Sequence, residues 1–308
     1  MSAPAPRRAP RLAPVRTRTL RVPEPFELRL VLFGHGWIEL APHVWDPITR
    51  TWRTAIHIEG RAHAITIRQH GGQVQIRAKA ADGGAAEDPR PAVARMLRLE
   101  LDLEPFWAIC DQDPRLAWSR QRGAGRLLRS AHAFEDLMKL LFTTNCSWSA
   151  TKLMTRRLVD TLGVETADGM RAFPTAEHCA AKDEAFWRNV VHTGYRAKAA
   201  TLLSRAFAAG TLSDEHFTDP SLAADVVRTR LLALEGFGPY AAGQALRLFG
   251  HHEDLALDSW CRATWTKLRA KNRPPADATI AREYRHFGKW QGLGLWLDLT
   301  AQWHVSED

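Results

Sequence analysis

Residues 231–258, LLALEGFGPYAAGQALRLFGHHEDLALD, constrain the fold more than any other stretch of this chain. Gly236-Phe237-Gly238-Pro239 interrupts two segments of helical spacing: Leu231, Leu232 and Leu234 lead in, and Ala241, Ala242, Ala245, Leu246, Leu248 and Phe249 lead out. Two glycines so close together permit a tight turn and leave its N–H groups bare. Where such a turn opens a helix, the partially positive N-terminus adds to those donors, and a phosphate can be gripped by backbone alone. A lone carboxylate, Asp258, follows Tyr240 by eighteen residues. It ends the strand-like run Leu255-Ala256-Leu257 and begins a helix at Ser259-Trp260-Cys261-Arg262. Asp is a common N-cap in that position, and the helix dipole favours negative charge there.

Upstream the pattern changes twice. From Phe26 to about Lys79 strands are expected: Phe26–Leu32, Trp52–Ile58, His63–Arg68 and Val74–Arg77 alternate wholly or in part, with turns at Glu59-Gly60 and Gly71-Gly72. The Gly/Ala/Asp-rich stretch Ala80–Pro89 marks a boundary. Beyond it nearly every segment has helical spacing: Val93–Leu103, Phe134–Phe142, Ala150–Leu162, Ala185–Val191, Ala197–Ala208, Ala223–Leu234, Thr279–Phe287 and Trp290–Trp303. The expected organisation is a disordered basic arm over residues 1–24, an antiparallel β domain over 25–88 and a helical body over 89–308, α+β overall.

At 308 residues, 45% hydrophobic and 25% charged, the chain has the composition of a soluble globular protein. It shows neither an apolar run of membrane-spanning length nor a signal-peptide pattern, so a cytoplasmic, nucleoid-associated monomer is expected. Cys110, Cys146, Cys179 and Cys261 are scattered without a CxxC and read as reduced thiols. The net charge of +8 suits a polyanionic partner. Much of it comes from Arg7, Arg8, Arg11, Arg16, Arg18 and Arg21, all ahead of the first acid, Glu24. Such an arm adds salt-sensitive attraction to nucleic acid, or is simply a solvated tail. His251-His252-Glu253-Asp254 reads as a solvated turn, because adjacent side chains on regular structure do not converge on one ion.

The pattern L-x-G-x-G-x-x-x-A, a hydrophobic run and then Asp258 resembles the helix-hairpin-helix, glycine/proline-rich, aspartate signature of the base-excision DNA glycosylases. The order of a small sheet before a helical body resembles their 8-oxoguanine and alkylpurine branches. Gly125-Arg126-Leu127-Leu128-Arg129, Phe142-Thr143-Thr144-Asn145 and Gly194-Tyr195-Arg196-Ala197 look like segments of the 8-oxoguanine enzymes. The resemblance spans about Phe26–Trp303 and is strongest over Arg126–Arg262.

What the resemblance implies is specific. Asp258 is the expected catalytic carboxylate, stabilising an oxocarbenium-like sugar and orienting water. Bifunctional relatives carry a lysine nucleophile where this chain has Tyr240, and neither Lys198 nor Lys267 lies at that position, so a monofunctional enzyme is expected. The target base must be rotated out of the duplex. Tyr240, Gln244, Trp296 and the loop Gly34-His35-Gly36-Trp37 are the expected pocket, with His35, Gly36 and Trp37 contributed by the loop. Gly236, Phe237, Gly238, Pro239, Asn145 and Arg196 are expected to meet DNA, with Trp148 as a lesser candidate. The backbone carbonyls of Leu232, Leu234 and Phe237 match a monovalent-cation site, Na+ or K+. Only Cys261 follows Asp258, so no iron–sulfur cluster is expected.

Leu295 and Leu299 align with the glutamine and phenylalanine that hold oxidised guanine in the 8-oxoguanine enzymes. Alkylated purines are therefore the favoured substrate, with oxidised guanine or modified bases of foreign (phage) DNA as alternatives. The expected partner is double-stranded DNA, and a non-catalytic helix-hairpin-helix protein that grips it is the reading from a different class.

Overall fold

The computed structural model describes residues 16–273 and 275–305. Strands β1 (Thr17–Arg21), β2 (Val44–Asp46), β3 (Thr51–Ile58), β4 (Arg61–His70) and β5 (Gln73–Ala80) form one antiparallel sheet in the order β1-β5-β4-β3-β2. Trp52, Ile67 and Ile76 pair across it and are fully buried on its inner face. The first strand corrects part of the expected disordered arm: Thr17–Arg21 pairs with Gln73–Arg77 as an edge strand. Its apolar centre, Leu20, packs against the main core, which a wholly polar arm would not do. Residues 1–15 of that arm lie outside the described residues.

Phe26–Leu32, expected as a strand, is also different. Leu28–Leu32 is a short helix, α1, with Leu28, Leu30, Val31 and Leu32 all buried. Alternation requires one solvated face, and this segment has none: the Val31 carbonyl accepts the Leu128 N–H at 3.2 Å, inside the helical body.

The remaining helices are α2 (Arg90–Met96), α3 (Glu104–Cys110), α4 (Trp118–Arg122), α5 (Ala133–Thr143), α6 (Trp148–Leu162), α7 (Ala176–Ala180), α8 (Glu184–Phe186), α9 (Ala197–Ala208), α10 (Glu215–Thr218), α11 (Ala224–Leu232), α12 (Pro239–Phe249), α13 (Ser259–Leu268), α14 (Asp277–Tyr284) and α15 (Gln291–Val305). The expected single helix over Val93–Leu103 is in fact α2 followed by a break at Leu97–Leu103. Helix α5 is buried on every side from Ala133 to Phe142, as expected of the central helix in a bundle. One continuous apolar core joins sheet residues such as Trp52 and Ile65 to Leu137, Leu141 and Leu246 of the helices. A second core under α3, α13, α14 and α15 includes Phe106, Trp265, Tyr284 and Leu295. Among the described residues no helix is long and apolar enough to cross a membrane.

Candidate active site

The hairpin forms where its sequence demands it. Helix α11 ends at Leu232, and Leu234 closes a turn by accepting the Phe237 N–H at 3.1 Å. Gly236 has φ 81°, and a Cβ there would meet Leu141 Cδ1 at 2.9 Å and Ala199 Cβ at 3.0 Å, so both the conformation and the packing require glycine. Phe237 is buried as the anchor, while Gly236, Gly238 and Pro239 are exposed. Gly238 caps α12, Pro239 occupies its first turn, and Gly250 ends it in the left-handed region at φ 101°. The result is a bare, rigid turn at a helix N-terminus.

Asp258 caps α13. Its Oδ1 accepts the Cys261 N–H at 2.7 Å, and the residue is half-buried. The segment before it is not a strand: Ala256 sits at φ 47°, and the Asp254 carboxylate accepts the Ala256 N–H at 2.8 Å. Two glycines admit this segment between helices. A Cβ at Gly243 of α12 would meet Ala256 Cβ at 2.8 Å and Asp254 Cγ at 3.0 Å. A Cβ at Gly292 of α15 would collide with the Asp254 carbonyl oxygen and lie 2.9 Å from that of His252. The Gly292 N–H donates to the His252 carbonyl at 2.8 Å.

These contacts correct the expectation of a solvated turn at His251–Asp254. His252 is buried with its ring stacked on Trp290, 5.1 Å between centroids, and burial holds its pKa well below the usual imidazole value. Asp254 pairs with Arg228.

Tyr240 and Gln244 lie one turn apart on α12, and both are half-buried. Burial first, then the negative charge of Asp258, pushes the Tyr240 phenol up. Burial and Asp258 likewise push the Cys261 thiol up to about 12. Arg247, fully buried one turn beyond Gln244, joins the parts. It donates to Gln244 Oε1 and to the Leu255 carbonyl, both at 2.9 Å, and its guanidinium lies 5.0 Å from the Trp296 ring centre. Because Arg only donates, it occupies the amide oxygen of Gln244 and leaves the NH2 group as the free end.

Trp296 stands in a cluster the sequence reading did not assemble. Its ring is 5.6 Å from Trp260 and 6.0 Å from Trp303, and those two are 5.6 Å apart. Trp260 and Trp303 are both more than one-third exposed. Trp260 sits two residues after Asp258, and Trp303 sits two helical turns after Trp296. Those spacings were the available signal.

The loop 34–37 reaches this cluster through its backbone. The Gly34 carbonyl accepts the Trp296 indole N–H at 2.7 Å. His35 and Trp37 turn inward instead: His35 Nε2 bonds the Leu128 carbonyl, and Trp37 Nε1 donates to Asp136 Oδ1 at 2.8 Å. Burial lowers the His35 pKa to about 4. Gly36 packs directly on the Trp148 ring, leaving no room for a Cβ, and Trp148 Nε1 donates to Glu39 at 3.1 Å.

Asn145 is exposed in the left-handed region at φ 46°, its Nδ2 donating to the Tyr195 hydroxyl at 3.2 Å. Arg196, expected at the DNA surface, is buried. Its nitrogens bond Thr144 Oγ1 at 3.0 Å, the Thr144 carbonyl and the Thr193 carbonyl at 3.2 Å, so it braces the Asn145 turn rather than reaching outward. Tyr195, 60% exposed and stacked on the Arg196 guanidinium at 4.5 Å, is the exposed group of that pair. Leu295 and Leu299 are fully buried in the second core. Lys198 pairs with Glu235 at 3.2 Å. No group of three or more His, Cys, Asp or Glu side chains is arranged to hold a metal among the described residues.

No family model and no curated protein matches the chain in sequence. Solved structures do match in fold. The 3-methyladenine DNA glycosylase from Archaeoglobus fulgidus superposes with a TM-score of 0.72 at 20% identity, covering 94% of this chain and 100% of that one. The 8-oxoguanine glycosylase/lyase of Clostridium acetobutylicum gives 0.70 at 18% identity in its apo form, covering 94% and 99%. The same enzyme bound to double-stranded DNA with cytosine opposite 8-oxoguanine gives 0.71 at 18%, covering 95% and 99%. Over nearly its whole length the chain thus has the fold of the helix-hairpin-helix (HhH-GPD) DNA glycosylases.

Proposed function

We propose that this protein is a monofunctional DNA glycosylase: it takes a damaged or modified base out of the helix, hydrolyses its N-glycosidic bond and leaves an abasic site. The observation that carries this reading is the placement of Asp258. It caps α13, half-buried, two residues before Trp260 of an exposed tryptophan cluster.

As the glycosidic bond breaks, positive charge develops on the deoxyribose and the bonding pair leaves with the base. A fixed carboxylate stabilises that charge more in the transition state than in the ground state. The same group accepts a proton from the attacking water. The exposed hairpin N–H groups, at the N-terminus of α12, hold a backbone phosphate. The carbonyls of Leu232, Leu234 and Phe237, at and just beyond the end of α11, are hard oxygen donors of the kind Na+ or K+ accepts, the Leu234 oxygen keeping a second lone pair beside the Phe237 N–H that it accepts. Asn145 and Tyr195, braced by Arg196, are the groups proposed to meet the strand the base leaves.

Tyr240 in place of an amine supports hydrolysis without strand cleavage. Trp260, Trp296, Trp303 and Tyr240 offer π faces that favour an electron-poor base, and we take alkylated purines as the preferred substrate. The burial of Leu295 and Leu299 supports that preference over oxidised guanine.

The test is a panel of duplexes, each with one candidate base, assayed for free base by mass spectrometry and for abasic sites by hot alkali. Release of an alkylated purine is expected, with breaks only after alkali. Asp258→Asn should lower the single-turnover rate by about 10²–10³, the usual loss for removing one electrostatic stabiliser. Full activity in that variant would refute the mechanism, and spontaneous breaks would refute the monofunctional assignment. Duplex binding without release of any base in the panel would favour the non-catalytic reading.

A further inference from the structure

The outer face of the sheet carries a surface that the excision chemistry does not use. Its register sets out the rows. Val44, Arg53, Thr66, Arg77 and Thr17 are successive partners across the five strands, and Arg68, Gln75 and Thr19 form the next row on the same side. His70, Gln73 and Arg21 form a third row, and Lys79 extends the face two residues beyond Arg77. Arg21, Arg53, Arg68, Arg77 and Lys79 are all exposed. The alternate residues, Trp52, Ile67 and Ile76, point into the core, so the cations face away from the helical body.

Among the described residues none of the five forms an ion pair. Arg68 donates to Thr51 Oγ1, on its own face. Asp46 is the acid of these rows among the described residues; it lies at the β2 corner, its oxygens cap the turn at Ile48 and Thr49, and Arg68 is the cation whose charge it feels. At the opposite end Ala55, Ala62 and Ala172 pack together and cover the face. The acids of that covering segment are engaged as well, Glu165 with Arg171 at 2.9 Å and Asp168 with Thr166 at 2.7 Å.

A surface that serves only solubility mixes its signs. This one collects a single sign on a flat pleat, with same-face neighbours on adjacent strands about 7–8 Å apart along the diagonal. Thr17, Thr19, Thr66 and Gln75 lie between the cations and supply hydrogen-bond donors suited to phosphate oxygens. The exposed large apolar groups here are Val44, at the edge of the face, and Ile48, in the turn between β2 and β3; these are two side chains at one corner, whereas a membrane-binding face carries an apolar stripe to insert. The face is also continuous with the basic N-terminal sequence. Residue 16 enters β1 at the sheet edge, and Arg7, Arg8, Arg11 and Arg16 precede that strand.

We propose that the outer face of the sheet is a second, sequence-independent nucleic-acid surface, which holds duplex backbone apart from the strand engaged at the hairpin.

The test uses the full chain, a lesion-free duplex of about 40 base pairs and fluorescence anisotropy across a salt series. In Arg53→Thr/Arg77→Thr/Lys79→Thr, threonine keeps the strand preference of each position. Neutralising three phosphate contacts should make the slope of log K against log salt shallower by about two to three, with at least an approximately tenfold affinity loss at low salt. Arg95→Gln/Arg205→Gln/Arg282→Gln removes the same charge from exposed helical positions and should leave the slope close to that of the unaltered protein. Equal slopes for the two triple variants would overturn the proposal. So would loss of binding to phosphatidylserine vesicles with duplex binding intact. Should the threonine variant fail to fold, acylation of Lys79 in the unaltered protein decides the matter: the duplex should protect it several-fold, and no protection refutes the surface. Excision at Asp258 on a short lesion oligonucleotide should be unchanged in the folded threonine variant, so failure here and failure of the glycosylase reading give different results.

Discussion

Gly292→Ala should damage the candidate active site without touching any group proposed to meet DNA. The new methyl group would collide with the Asp254 carbonyl oxygen and crowd the His252 carbonyl at 2.9 Å, and both obstacles are backbone. Either the first turn of α15 or residues 252–254 must retreat by about 1 Å. That retreat stretches the Gly292 N–H bond to His252, now 2.8 Å, and disturbs the Asp254 contact that holds Ala256 in its left-handed conformation. Overpacking of this kind costs about 1–3 kcal/mol, and the weakened hydrogen bond adds about 1 kcal/mol. A loss of about 2–4 kcal/mol should lower the melting temperature by roughly 5–10 °C. Asp258 follows two residues after Ala256, so its carboxylate moves with the segment. A displacement near 1 Å is worth up to about 10² in rate where positioning carries the catalysis.

Single-turnover excision and thermal unfolding read both effects, and anisotropy on a lesion-free duplex should stay unchanged because the hairpin is untouched. Gly243→Ala provides the internal comparison. Its nearest contacts are the Ala256 Cβ at 2.8 Å, which is fixed to the backbone, and the Asp254 carboxyl carbon at 3.0 Å, which can turn aside; both are less severe than the overlap with the Asp254 carbonyl oxygen at Gly292, so the losses should be smaller in both assays. If Gly292→Ala excised and melted like the unaltered protein, or if Gly243→Ala were the more damaging, the close approach would not be what positions Asp258.

Trp260→Ala removes a ring that is 37% exposed and should cost less than about 1 kcal/mol of stability, yet slow excision about tenfold if an extruded base stacks there; an unchanged rate would remove Trp260 from the pocket. His35 supplies a pH test. Burial lowers its folded pKa to about 4, so below the unfolded value near 6.5 the unfolded chain takes up a proton that the folded one refuses. The stability it contributes is present above 6.5 and declines, by roughly 1.4 kcal/mol per pH unit, as pH falls toward 4. His35→Gln keeps a donor for the Leu128 carbonyl without titrating, so denaturant unfolding at pH 7 and pH 5 should show the variant losing less; parallel pH profiles would refute the assignment.

What was legible in the sequence was whatever short-range geometry decides. The hairpin requires glycine at φ 81°, a helix wants a cap at Asp258, and tight turns separate the central strands; each lies within a few residues of its own cause. The misreadings share a different origin. Phe26–Leu32 has the composition of a strand, but distant residues leave none of its positions fully exposed, and Leu28–Leu32 closes into a helix. Arg196 has the charge of a surface residue, and only the Thr144 backbone, fifty-two residues earlier, shows that its donors are committed inside. His252 looks solvated until the first turn of α15, forty residues later, comes down upon its carbonyl.

The same long separations build the tryptophan cluster, since Trp296 is tied to Gly34 across 262 residues. The carboxylate and the glycine hairpin are thus written locally, while the aromatic groups proposed as walls of the base site are drawn together from both ends of the chain. Chemistry at Asp258 should therefore tolerate variation in those walls that changes which base is accepted. Substitutions at Gly243, Gly292 or Arg247, which hold the segment itself, should lower the rate for every base alike. Equal losses across the duplex panel for these three, against base-dependent losses for Trp260 and Gln244, would separate positioning from recognition.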